Sequence, residues 1–164
     1  MLEKLELTKL FDTESDWAKE HIMAPLTDEM IKRAESTIGY KLAKSYIELL
    51  RFQNGGVIDD NECWLTVIYG IGTTVDAFNG LEEMFDNWIN EWEYPNIGIP
   101  FGETQTAGHD MYFMDYRNLD SAGEPAIVHV ENEGGLEDIR ITKVADNFKS
   151  FLEMVLSGNL SDNF

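Results

Sequence analysis

Cysteine is nearly absent from this 164-residue chain, in which Cys63 is the one thiol. An internal disulfide is therefore impossible, and a lone thiol is typical of a reducing compartment. No apolar run approaches the roughly 18–20 residues that span a bilayer. The first six residues are too charged for the core of a signal peptide. We therefore expect a cytoplasmic protein that has no membrane partner.

Basic residues are also scarce, and the charge is unevenly spread. The chain has 12 Lys and Arg against 31 Asp and Glu, a net charge of −19. Residues 52–139 carry −17 of this with Arg117 as their one base, whereas residues 1–51 carry −2 and residues 140–164 are neutral. Nucleic acids and anionic membranes are bound mainly through clustered Lys and Arg, so we expect neither as a direct partner. The distribution favours a basic partner, a cation or plain solubility.

Motifs for cofactors and metals are missing too. The glycines follow neither the phosphate-binding loop pattern nor the dinucleotide-binding pattern between a strand and a helix. His21, Cys63, His109 and His129 are too far apart along the chain for the usual zinc spacing. The acidic turns 59–62 and 131–135 do not match an EF-hand calcium loop. We predict no cofactor and no metal.

Two sites resemble catalytic arrangements without fulfilling them. Acidic neighbours of Cys63 oppose the thiolate, which favours a partly buried structural thiol. His109 and Asp110 are adjacent, and adjacent residues of a strand point to opposite faces. We predict no catalytic residue; the alternative is an enzyme that uses His109 with Glu103 or Asp110.

The chain does carry helical patterns followed by short β-rich runs. An apolar fraction of 43% is enough for a core in a chain of this length. Thr27 is predicted to cap a helix that ends at Gly39, and residues 13–16 form a capping box ahead of an earlier helix. Further helices are predicted at about 43–53, 81–92 and 144–156. Strands are predicted at 57–58, 64–69, 97–101, 111–116, 126–131 and 139–141.

The order of these elements is not the alternation of strand and helix that gives a parallel sheet. It predicts a single-domain α+β fold with a mostly antiparallel twisted sheet and helices packed on one side. Val128 and Val130 alternate with His129 and Glu131, which predicts a solvent-exposed face of that sheet. Several acids of the middle section then share a surface.

Three stretches of the chain occur in a characteristic order. The first runs from Thr27 to Gly56 and contains an acid-capped helix, a second helix and Asn-Gly-Gly. The second joins Ile97–Gly102 to Gly108-His109-Asp110 and the next strand, and the third is the closing helix that begins near Val144. Together they resemble the SMI1/KNR4 family, of the SUKH superfamily. Ala43 stands where the family usually has proline, and because alanine is a strong helix former the helix is still expected.

The resemblance implies an SMI1/KNR4-like domain over residues 27–158, preceded by a helical extension at 1–26 and followed by a tail at 159–164. For a bacterial member it implies a non-enzymatic immunity protein that binds and neutralises a cognate polymorphic toxin, often a nuclease. The alternative is an interaction scaffold or regulator linked to cell-envelope synthesis. The family offers no catalytic residue to carry over, and the oligomeric state stays open.

An acidic inhibitor suits a basic nuclease domain, because opposite charges steer association and fix register. We therefore predict an acidic surface with aromatic anchors as the protein-binding site. Trp88 lies on an apolar helical stripe and is favoured as core. The predicted contact carboxylates are Asp59, Asp60, Glu62, Glu103 and Asp110, and the candidate anchors are Trp64, Trp88 and Trp92.

Overall fold

The computed structural model describes residues 2–3, 5–60, 62–72, 80–134 and 137–160. In these ranges six strands form one antiparallel sheet in the order β1-β2-β3-β4-β5-β6, so the predicted α+β fold is confirmed. The strands are β1 (Gly56–Val57), β2 (Val67–Ile68), β3 (Gly98–Glu103), β4 (Asp110–Leu119), β5 (Pro125–Glu131) and β6 (Arg140–Ala145). Asn61 and Gly135, from the two acidic turns, lie outside the described residues.

The α-helices are α1 (Asp16–Glu20), α2 (Asp28–Ile38), α3 (Lys44–Phe52), α4 (Leu81–Asp86) and α5 (Phe148–Leu156). A 3₁₀ turn at Leu7–Lys9 precedes them, and a π-helical turn at Asn87–Glu91 continues α4. None of the described helices has the length and apolar character needed to cross a membrane.

The ends of α2 follow the prediction. The Thr27 hydroxyl accepts a hydrogen bond from the Met30 N–H at 3.2 Å, and Gly39 ends the helix at a φ of 80°. At α1 the cap is Ser15 rather than Thr13, because the Ser15 hydroxyl accepts from the Ala18 N–H at 3.1 Å. The capping residue was therefore placed two positions too early.

The last strand and helix meet later in the chain than predicted. Strand β6 continues to Ala145, and α5 begins only at Phe148. Asn147 sets this boundary, because its side-chain oxygen accepts from the Ser150 N–H at 2.9 Å and caps the helix. The preceding Ile141, Thr142 and Val144 are β-branched and favour the strand.

Aromatic side chains cover both faces of the central strands. On one face the ring of Phe151, from α5, lies 5.1 Å from the ring of Tyr112. On the opposite face the ring of Tyr94 stacks on the ring of Phe113, with 5.7 Å between their centres. His129 pairs with Tyr112 across the β4–β5 ladder and is 2% exposed. The prediction of a solvent-exposed face at His129 is therefore wrong, because α5 covers that face.

Candidate protein-binding site

The topology collects three connections at one end of the sheet. In an antiparallel sheet whose strands follow chain order, alternate connections lie at the same end. The β1–β2, β3–β4 and β5–β6 connections therefore share an end, and the register agrees, because Val67 at the start of β2 pairs with Glu103 at the end of β3. We call this the acidic end, after its exposed or half-buried acids Asp59, Asp60, Glu62, Glu103, Glu131, Glu133, Glu137 and Asp138.

Three of the five predicted carboxylates are exposed in the β1–β2 connection. They are Asp59, Asp60 and Glu62. The backbone fixes this connection, since the Asp59 N–H donates to the Leu10 carbonyl at 2.9 Å. The Asp60 carboxylate in turn accepts from the Glu62 N–H at 2.9 Å. The exposed acids therefore sit on an anchored segment.

The fourth predicted carboxylate, Glu103, is half-buried at the end of β3. It accepts a hydrogen bond from the Tyr69 hydroxyl, which itself accepts from the Trp88 indole N–H at 2.8 Å. Burial raises the pKa of Tyr69 well above its usual value, and the Glu103 carboxylate adds to the effect. These hydrogen bonds connect Glu103, on β3, to the buried rings of Tyr69 and Trp88.

The fifth predicted carboxylate, Asp110, is only 5% exposed. One oxygen lies 2.5 Å from His129 Nε2 and 3.1 Å from the Trp64 indole nitrogen, which donates to it. The hydroxyls of Thr104 and Thr106 donate to the other oxygen. Burial alone would raise the pKa of Asp110, but these hydrogen bonds outweigh it and lower the pKa to about 2. Both carboxylate oxygens are hydrogen-bonded to side chains of the same chain, so Asp110 holds those side chains in position.

The contact between Asp110 and His129 was missed in the sequence. The register pairs Asp110 with Glu131 and Tyr112 with His129, which makes Asp110 and His129 diagonal neighbours on one face of the sheet. The alternation of side chains within each strand does not show that the two residues are in contact. The register between β4 and β5 brings them together. Trp64 joins the same group as a half-buried residue.

A second group of contacts lies where the π-helical turn reaches the acidic end. Trp88 is 6% exposed, as its predicted place in the core requires, whereas Trp92 is 45% exposed with its ring 5.2 Å from that of Trp88. The side-chain amide of Asn132 donates to the Trp92 carbonyl at 2.8 Å. The Asn132 N–H donates to the His109 carbonyl at 2.9 Å, which links all three segments.

The described contacts do not join His109 to the Asp110 carboxylate, and Cys63 is buried. His109 is exposed in the β3–β4 connection, while the described contacts of the Asp110 carboxylate come from His129, Trp64, Thr104 and Thr106. Cys63 is buried, and burial raises the pKa of its thiol, with a further contribution from Asp60. Within the described ranges, no three His, Cys, Asp or Glu side chains are grouped to hold a metal ion.

Two comparisons bear on the identity of the chain. A model of the SMI1 / KNR4 family (SUKH-1) matches residues 25–154, which include every residue of the acidic end. No curated protein matches the sequence.

Proposed function

Because the chain belongs to the SMI1/KNR4 (SUKH-1) family, which is known for immunity proteins, we propose that it binds and neutralises a cognate toxin. The proposed partner is a basic domain, such as that of a nuclease, and the proposed contact surface is the acidic end. The protein would act by occupying the basic surface with which the toxin grips its own substrate.

The observation that carries this proposal is that the acidic β1–β2 and β5–β6 connections lie at the same end of the sheet, with Glu103 at the end of β3 between them. The β1–β2 and β3–β4 connections both lie in the 52–116 range, which contains no Lys or Arg. Two described bases lie near this end, and both are paired: Arg140 with Glu131 at 3.2 Å, and Lys9, which lines a pocket with Asp59 and Asp60, with Glu6 at 2.7 Å. A basic partner would therefore meet a surface of nearly uniform sign, which accelerates association.

Asp59, Asp60 and Glu62 are the proposed contact carboxylates, since each is exposed on an anchored segment. Trp92 is the proposed aromatic anchor, because it is the most exposed tryptophan at this end. Asp110 is buried beneath this surface, and the half-buried Glu103 accepts a hydrogen bond from the Tyr69 hydroxyl, so we assign both a supporting role and no direct contact. Trp64 holds the β1–β2 connection through its hydrogen bond to Asp110.

The test begins with affinity capture, using the full chain as bait in a lysate of the source organism. Capture is compared at low and high salt, and the bound protein is identified by mass spectrometry. Its gene is then expressed in a laboratory bacterium, alone and together with this chain. We expect a basic protein that elutes as salt rises, and whose toxicity is relieved by co-expression.

A variant with Asp59→Asn, Asp60→Asn and Glu62→Gln should lose capture and protection. The matched control is Glu14→Gln, Glu20→Gln and Glu29→Gln, which removes the same charge from exposed positions elsewhere. Equal behaviour of the two variants would show that the acidic end is not the contact surface. A neutral envelope protein held regardless of salt would favour the scaffold alternative.

A further inference from the structure

The two edges of the sheet are treated differently by the chain. At β1 the N-terminal segment covers the edge, because Phe11 bridges to Ile58 and the Asp12 N–H donates to the Val57 carbonyl at 2.9 Å. At the other edge, β6 is the last strand in the sheet order, with no strand beyond it among the described residues. Such an edge offers unpaired backbone N–H and C=O groups to another strand.

Helix α5 lies beside this open edge. Its core face is buried, and it packs on both β5 and β6. A second face of α5, at a spacing of three and four residues, lines an open groove together with the end of β6. The residues of that helix face are Ser150, Glu153, Met154 and Ser157.

We propose that β6 and α5 form a homodimer interface, in which β6 pairs antiparallel with β6 of a second copy. Strands lie about 4.8 Å apart, so a two-fold axis would pass about 2.4 Å outside β6. Because α5 packs on β5 and β6, the two α5 helices would lie on the same face of the joined sheet, one on each side of the axis. The groove beside α5 on each copy would then face α5 of the other copy.

The charge distribution makes this face more suitable for contact with a second copy than the acidic faces of the chain. In a two-fold interface the same surface patch of each copy faces its counterpart. Two copies of a chain with a net charge of −19 therefore repel each other at most patches. The described residues of this part of the chain, 140–160, carry three bases against two acids and so have no excess of negative charge. Lys143 pairs with Asp146 at 2.6 Å, and Lys149 lies 3.7 Å from Glu153. Pairs of this kind can be exchanged across a two-fold axis.

The pairing also leaves the proposed toxin contact free. Antiparallel pairing across β6 points the acidic ends of the two copies in opposite directions. Each copy could then bind its own partner. Dimerisation and toxin binding are also distinguishable by salt, because salt screens the repulsion between two acidic chains and weakens attraction to a basic one.

The test is sedimentation of the full chain over a concentration series, at low and high salt. We expect a reversible rise from 18.7 kDa to twice that mass, at lower concentration when salt is high. Hydrogen exchange of the 140–145 amides should slow as the protein becomes dimeric. A chain that stays monomeric throughout, or a dimer with unchanged exchange in β6, would overturn the proposal.

Met154→Glu places a like charge on the helix face of each copy, and should weaken the dimer about tenfold or more. Phe52→Glu is the control, since it makes the same change at a 50% exposed apolar position on α3. Equal weakening by both substitutions would place the interface elsewhere. If Met154→Glu does not fold, the concentration dependence of exchange in the unsubstituted chain decides the question.

Discussion

Glu124 caps helix α3 from a turn that lies 80 residues further along the chain than Lys44. One carboxylate oxygen accepts from the Lys44 N–H at 2.9 Å, and the other accepts from the Ser45 hydroxyl. Ala43, at the N-cap position, makes no side-chain hydrogen bond to the helix. The β4–β5 turn therefore supplies the cap that the local sequence lacks, and joins α3 to the far end of the sheet.

Removing this cap should destabilise the fold. Glu124→Ala leaves the partly buried Lys44 N–H and the buried Ser45 hydroxyl without their acceptor, and we expect a loss of about 1–2 kcal/mol in the free energy of unfolding. Glu124→Gln keeps one acceptor and should cost less. Urea unfolding measures both, with Glu137→Ala as an exposed control. A Glu124→Ala protein as stable as the control would contradict the capping role.

Gly108 is expected to tolerate no side chain. Its φ is 98°, and a Cβ there would lie 2.8 Å from the Trp88 ring, which is buried and cannot move aside. Gly123 has a φ of 80° with open space around it, so Gly123→Ala isolates the backbone cost. We expect a loss of about 1 kcal/mol for Gly123→Ala and about 2–3 kcal/mol for Gly108→Ala. Only the second should change the tryptophan fluorescence, and equal losses would show that the ring contact is unimportant.

Local signals in the sequence predicted both ends of α2, because caps and glycine stops act within a few residues. Thr27 and Gly39 bound α2 as expected. The cap of α3 could not be predicted in the same way, since Glu124 reaches it only through the folded sheet.

The candidate site shows the same division. The exposed acids could be predicted from composition and turn signals. Their placement at one end of the sheet followed only once the strand order was known. The burial of Asp110 depends on strand register, which places His129 diagonally across from it. Sequence alone could identify both residues, but it contained no local signal of their contact.

Asp110 should make stability depend on acid pH. Its pKa in the folded protein is about 2, below the ordinary value of 3.8, so the ionised carboxylate stabilises the fold above pH 3.8. That contribution, about 2 kcal/mol, is lost as pH falls through the folded-state pKa. Urea unfolding of the wild type and of Asp110→Asn should therefore differ most near neutral pH and converge towards pH 2. Asp138→Asn, at an exposed site, is the control.

A difference between wild type and Asp110→Asn that stays constant down to pH 2 would assign the effect to packing. In that case the hydrogen bonds from His129, Thr104 and Thr106 would not favour the ionised carboxylate. Convergence would instead show that the charge itself holds the β1–β2 and β3–β4 connections together.

Trp92 and the exposed acids should contribute to toxin binding in different ways. An aromatic anchor acts through desolvated contact, so Trp92→Ala should weaken binding of the captured basic protein by about 2 kcal/mol and leave the salt dependence unchanged. Neutralising Asp59, Asp60 and Glu62 should flatten the salt dependence, because long-range attraction is lost. Titration calorimetry at several salt concentrations measures both effects.

Trp17→Ala is the matched control for the anchor, because Trp17 is 49% exposed against 45% for Trp92 and lies on α1. Equal weakening by the two substitutions would mean that exposed tryptophans act through stability. If Trp92→Ala had no effect while the acidic substitutions did, binding would rest on charge alone. Such a surface would bind basic domains with little discrimination, since charge steers association whereas buried contacts select the partner.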